Sequence, residues 1–132
     1  MTRSRETILV VHEDEALRTH VCRVLRAEGY TAIPAGHSVE AQWCVERHGA
    51  EVDLLLIDLT PPASRDYNLG ISLGALWPHT PVIFTSTDGR DENIRRGLLH
   101  PRAPFLQKPF PPYVLTRTVR TVLDRRSAPP AA

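Results

Sequence analysis

Three short apolar runs in this chain each end on side chains able to handle charge. Val52-Asp53-Leu54-Leu55-Leu56-Ile57 closes on Asp58, Ile8-Leu9-Val10-Val11 meets His12-Glu13-Asp14-Glu15, and Phe105-Leu106-Gln107 leads into Lys108-Pro109. In an open parallel sheet the carboxyl ends of the strands converge on one crevice, and ligands bind there. A carboxylate, an acidic cluster and a lysine in such a crevice have the composition needed to move a phosphoryl group onto the carboxylate. The incoming group is an anion, so it reaches another anion only where cationic charge offsets the repulsion. Aspartyl phosphates formed in this way are an established kind of covalent intermediate.

The elements that must position these residues follow from the apolar pattern. Apolar runs of strand length alternate with segments of helical period, the pattern of a parallel α/β sheet. Strands are predicted at 8–11, 30–33, 52–57, 81–85 and 104–107. The 52–57 run is apolar on both sides of the pleat apart from Asp53, which predicts a central strand covered by helices on both faces. A first helix is read from Leu17, Val21, Val24, Leu25 and Glu28 on one face, with Gly29 as its stop. A second spans about 38–48 with Ser38 as its cap. A third runs over about 68–77, and a short fourth carries Ile94 and Leu98. The fifth opens at Pro111-Pro112 and buries Leu115, Val119, Val122 and Leu123.

Composition narrows the function classes. With 132 residues the chain has the length of one domain around one core, and 42% hydrophobic with 23% charged residues argues against disorder and coiled coil. A net charge of +1 gives no field able to hold nucleic acid by counterion release. No apolar stretch is long enough to span a bilayer, and residues 1–7 lack the apolar centre of a signal peptide. A cytoplasmic protein without nucleic-acid or membrane partners is expected. Cys22 and Cys44 have no metal or redox spacing and read as small buried hydrophobes. Trp43 and Trp77 read as packing anchors, and His20, His37, His48, His79 and His100 as surface residues. The tail 127–132, with Pro129-Pro130, is expected to be disordered, leaving 1–126 as the domain.

In their order and spacing these motifs resemble the receiver domain of two-component signalling, the family of bacterial response regulators, over roughly residues 7–126. The resemblance rests on the acids after the first strand, on Asp58, on Pro81-Val82-Ile83 leading to Ser86, and on Phe105-Leu106-Gln107-Lys108-Pro109-Phe110. The last string is most similar to receivers attached to hybrid histidine kinases. The resemblance implies a flavodoxin-like (βα)5 doubly wound parallel sheet with strand order 2-1-3-4-5. It implies that Asp58 accepts a phosphoryl group from the phosphohistidine of a histidine kinase or phosphotransfer protein. Mg²⁺ would be held by Asp58, Glu13 and the backbone carbonyl of Thr60, with Asp14 as a further ligand and His12 in its second shell. Lys108 would pair with the phosphate ahead of a cis bond to Pro109. Ser86 and Phe105 would form the switch, and a downstream protein would read the face of the fourth helix, fifth strand and fifth helix. Such a chain is not a conventional enzyme: its chemistry is limited to Mg²⁺-dependent self-phosphorylation and autodephosphorylation at Asp58.

The chain departs from the family pattern at several positions. His12 and Glu13 stand where the family usually has two acids, Thr87 where it has alanine or glycine, and Pro101-Arg102 where it has Gly-Ala. Pro61 replaces a frequent hydrophobic residue before Pro62. His12 and Glu13 leave open a pseudo-receiver that binds partners without being phosphorylated. A phosphatase of the haloacid dehalogenase type resembles the chain at Asp58-Leu59-Thr60, but it needs a general acid where Thr60 stands.

Overall fold

The strands of this chain are in a register that brings their carboxyl ends level. In the computed structural model, which describes residues 6–48, 51–59 and 79–127, five strands form one parallel sheet in the order β2-β1-β3-β4-β5. They are β1 (Thr7–Val11), β2 (Thr31–Ala35), β3 (Leu54–Asp58), β4 (Val82–Ser86) and β5 (Phe105–Gln107). Val11 pairs with Ile57, Ile57 with Phe84 and Phe84 with Phe105, so one row crosses four strands just inside the edge. The order is the doubly wound one implied by the resemblance. The predicted third helix, Thr60, Pro61, Pro62, Trp77 and the tail beyond Ser127 lie outside the described residues.

The helices are α1 (Glu15–Ala27), α2 (Ser38–His48), α3 (Arg90–Arg95) and α4 (Pro112–Ser127), the last two being the predicted fourth and fifth. Strand alternation divides the core into two layers. Ile8, Val10, Leu54, Leu56, Ile83 and Leu106 pack with Val21 and Leu25 of α1 and Leu115, Val119 and Leu123 of α4. Leu9, Val11, Leu55 and Ile57 pack on the other face with Ala41, Cys44 and Val45 of α2. Each fully buried Leu or Ile contributes about 1.5–3 kcal/mol, and β1 and β3 are buried on both sides, as the sequence predicts for β3.

Local chemistry sets the element ends. Asp14 caps α1 by accepting the Leu17 N–H at 3.0 Å. Gly29 stops the helix at φ 97°, a left-handed conformation that glycine adopts without strain. Pro34 is tolerated in β2 because this strand is at the edge of the sheet.

Four readings need correction. The residue preceding α2 is His37, whose Nδ1 accepts the Glu40 N–H at 3.2 Å, so the capping position falls one residue before the predicted one. Trp43 is no packing anchor: it is 55% exposed, with Arg47 over its ring, because α2 turns Ala41, Cys44 and Val45 to the sheet instead. Ser127 belongs to the last turn of α4. Leu17 and Glu28 do not share the buried stripe of α1, which narrows to Val21, Cys22 and Leu25.

Candidate functional site

The site continues one face of the sheet beyond its apolar part. Val10, Leu56, Ile83 and Leu106 pack under α1 and α4, and two residues further along each chain stand His12, Asp58, Thr85 and Lys108. Period-two alternation therefore aims all four polar side chains to the same side. The level strand ends bring them together.

Their geometry centres on one oxygen. Lys108 Nζ lies 2.7 Å from Asp58 Oδ1, with the two side chains 11% and 6% exposed. Thr85 donates its hydroxyl to the same oxygen at 2.7 Å. His12 Nε2 lies 3.6 Å from Asp58 Oδ1 and 3.0 Å from Lys108 Nζ. Behind the ring, the Asp14 N–H donates to His12 Nδ1 at 3.1 Å, and Arg18 donates to the His12 carbonyl at 2.7 Å. The Lys108 backbone is tied down, since its N–H donates to the Ser86 carbonyl at 2.8 Å; its bond to Pro109 is cis, as the resemblance implies. A cavity of ≈ 380 Å³ opens beside these groups, walled by Val10, Leu17, Val21, Leu56 and Phe110. An ammonium and a carboxylate held this close and this dry attract strongly, and removing either one strands the other.

Burial pushes the His12 pKa below its ordinary value, opposed by the Asp58 carboxylate and assisted by the Lys108 ammonium, so the ring is neutral at pH 7. The Leu17 N–H lowers the pKa of Asp14 and keeps that carboxylate ionised in its capping role. The described residues do not form the donor set that Mg²⁺ requires. Asp14 is turned into its cap, and Glu13 is exposed and takes no part in lining the cavity. Among the described residues no group of three or more His, Cys, Asp or Glu side chains is placed to hold a metal ion. Mg²⁺ demands near-octahedral oxygen donors, whereas this pocket offers one buried carboxylate, an imidazole and an ammonium. Thr60, the other expected ligand, lies outside the described residues.

The remaining expected residues are near the site but engaged elsewhere. Ser86 is fully buried, and its Oγ accepts the Asp88 N–H at 3.1 Å. Phe105 is half-buried beneath the Arg90 guanidinium, 5.6 Å from its ring centre, while Arg90 also donates to the carbonyls of Pro101 and Ala103. Sequence reasoning missed Thr85, Arg18 and His20, the last of which lines the cavity. For Thr85 a signal existed: it is a hydroxyl two residues beyond Ile83, on the same side of the strand, as Asp58 is two residues beyond Leu56.

No family model matches the chain. Over 120 residues, 91% of its length, it is 32% identical to the sensor kinase CckA of Brucella abortus. Over 119 residues, 90% of its length, it is 29% identical to the two-component response regulator ARR14 of Arabidopsis thaliana. The chain spans 13% and 31% of the lengths of these two proteins. A response regulator receiver domain protein (CheY-like) from Methanospirillum hungatei has the same fold, with a TM-score of 0.78 at 24% identity over 94% of this chain and 98% of that one. By its relatives and by its fold, the chain belongs to the receiver domains of two-component signalling.

Proposed function

We propose that Asp58 takes a phosphoryl group from a phosphohistidine, carried by a histidine kinase or phosphotransfer protein, and that the acquired charge is read by a partner protein. The observation that carries this reading is the 2.7 Å approach of Lys108 Nζ to Asp58 Oδ1 beside an open cavity. An Asp58 oxygen forms a bond to phosphorus while the P–N bond of the donor breaks and its electron pair stays on the departing imidazole. Forming the acyl phosphate consumes the carboxylate charge. The Lys108 ammonium, no longer fully paired, then follows the charge onto the phosphoryl oxygens. Thr85 holds the oxygen it bonds in place as this happens.

The new dianion biases Ser86 to release the Asp88 amide and donate to a phosphoryl oxygen, with Phe105 moving behind it. The face formed by α3, β5 and α4 reports this change. It carries Tyr113, 62% exposed with Arg117 beside its ring, and the Arg90–Phe105 stack. Aromatic and arginine side chains are the usual anchors of protein interfaces. The domain would work in the cytoplasm beside its kinase, and no described helix is long and apolar enough to cross a membrane.

Incubation with acetyl phosphate followed by intact mass measurement tests the acceptor role. One phosphoryl group gained by the wild type and none by Asp58→Asn is the expected result. Equal labelling of the variant, or no labelling of the wild type with or without Mg²⁺, overturns it.

A further inference from the structure

We infer that His12 occupies the role a divalent cation would otherwise fill: a phosphoryl oxygen binds between His12 Nε2–H and the Lys108 ammonium, and Asp58 accepts the group without a metal. This inference rests on the acceptor reading above and adds a catalytic residue to it.

The hydrogen bonds around the His12 ring conflict. A neutral imidazole has one nitrogen that donates and one that accepts. Both nitrogens of His12 face donors: the Asp14 N–H is 3.1 Å from Nδ1, and the Lys108 ammonium is 3.0 Å from Nε2. The backbone amide is fixed by the start of α1, so Nδ1 is the acceptor and Nε2 carries the proton. Nε2–H and Lys108 are then two donors side by side, both close to Asp58 Oδ1, at 3.6 and 2.7 Å. An oxyanion entering between them relieves the conflict and satisfies both. Among the described residues, Asp58 Oδ1 is the acceptor that the two donors share.

Two acids and a divalent cation sum to zero. Here a neutral ring replaces one acid and the other, Glu13, is exposed. Asp58 and Lys108 already balance without a metal. A divalent cation beside Lys108 would meet an ammonium with, among the described residues that line the cavity, no second carboxylate to offset it.

The cavity of ≈ 380 Å³ reaches His12, Asp58 and Lys108 together. Its apolar walls make charged hydrogen bonds within it stronger than in water.

The step balances with a phosphoramidate donor. The Asp58 oxygen forms a bond to phosphorus, the P–N bond breaks, and the already protonated nitrogen leaves as ammonia with the electron pair.

The test uses the whole chain with phosphoramidate, in excess chelator and in Mg²⁺, read by intact mass over time. The expected wild-type rate differs by no more than about threefold between the two conditions, whereas His12→Asp loses at least about tenfold in chelator and recovers in Mg²⁺. His12→Gln, which can keep a side-chain N–H in a similar place, should retain metal-independent labelling and covers the case in which the aspartate variant does not fold. As a readout independent of labelling, amide NMR shifts at residues 11–14 and 58–59 should respond to Mg²⁺ in His12→Asp and not in the wild type. Wild-type labelling that requires Mg²⁺, or saturable Mg²⁺ shifts in the wild type, overturns the inference and leaves the acceptor reading intact. Absence of Asp58 labelling in every condition overturns the acceptor reading and this inference with it.

Discussion

The two ends of the sheet handle buried charge in opposite ways. At the amino end, Glu6 is gripped by Arg120 at 2.9 and 3.1 Å through both oxygens, and Arg120 also reaches Tyr30. Beside it, Asp53 accepts the Thr7 N–H at 2.7 Å with one oxygen and Arg126 at 2.9 Å with the other. Each carboxylate there has both oxygens engaged, and each guanidinium spreads its donors over several acceptors. At the carboxyl end, an ammonium, a hydroxyl and an imidazole all crowd near Asp58 Oδ1, and a cavity lies alongside. Saturated pairs fasten α4 to the start of β1 and β3. Convergent donors at the other end suit the incoming anion of the proposed reaction. The same residue types therefore serve structure where their bonds are spread out and chemistry where they are concentrated.

Variants at the two ends should separate stability from chemistry. The largest effect is expected for Asp58→Asn, which should abolish phosphoryl uptake while far-UV circular dichroism still reports a folded sheet. Lys108→Ala should slow uptake by about 10²-fold, the usual loss when one preorganised charge is withdrawn from a transition state. Arg120→Ala should leave uptake unchanged and lower unfolding free energy by about 1–2 kcal/mol, a figure kept small because Arg120 is 43% exposed. A urea midpoint measured beside the uptake assay distinguishes the two outcomes, and loss of uptake in Arg120→Ala would erase the contrast between the ends.

Acid should act through His12. Its folded pKa lies below the ordinary 6.5, so the unfolded chain takes up this proton first as pH falls. That contribution to stability is whole above pH 6.5 and is lost as the pH drops through the folded pKa, with a slope of at most about 1.4 kcal/mol per pH unit. Urea midpoints between pH 5 and pH 8 should flatten in His12→Gln. The smallest change is expected for Thr85→Val, which keeps the shape and removes the hydroxyl, at a cost of about 1 kcal/mol. An unchanged midpoint for that variant would mean that the Thr85–Asp58 hydrogen bond adds nothing to the concentrated end.

Much of the fold was legible because its signals are local. The apolar runs marked the strands to within two residues, and β1 and β3 read as continuous apolar runs because they are buried on both faces. Gly29 and the stripe Leu115, Val119, Val122 and Leu123 were equally plain. Misreadings arose where one residue type serves two purposes. Asp14 sits at a helix start, where aspartate caps well, yet the resemblance drew it toward a metal. Trp43 is large and apolar enough to suit a core, but the face of α2 that meets the sheet holds smaller residues. His37 took the capping place beside Ser38, the residue whose type is the stronger signal.

Sequence alone settled the alternation of strands and helices and placed Asp58, Lys108 and the His12 cluster at strand ends that converge. Periodicity fixes these because it is a property of neighbours along the chain. Only the tertiary structure decided that the His12 ring would lie 3.0 Å from an ammonium 96 residues away, and that Glu13 and Asp14 would point elsewhere. Sheet register and the first turn of α1 set those distances together, and no local pattern contains either one.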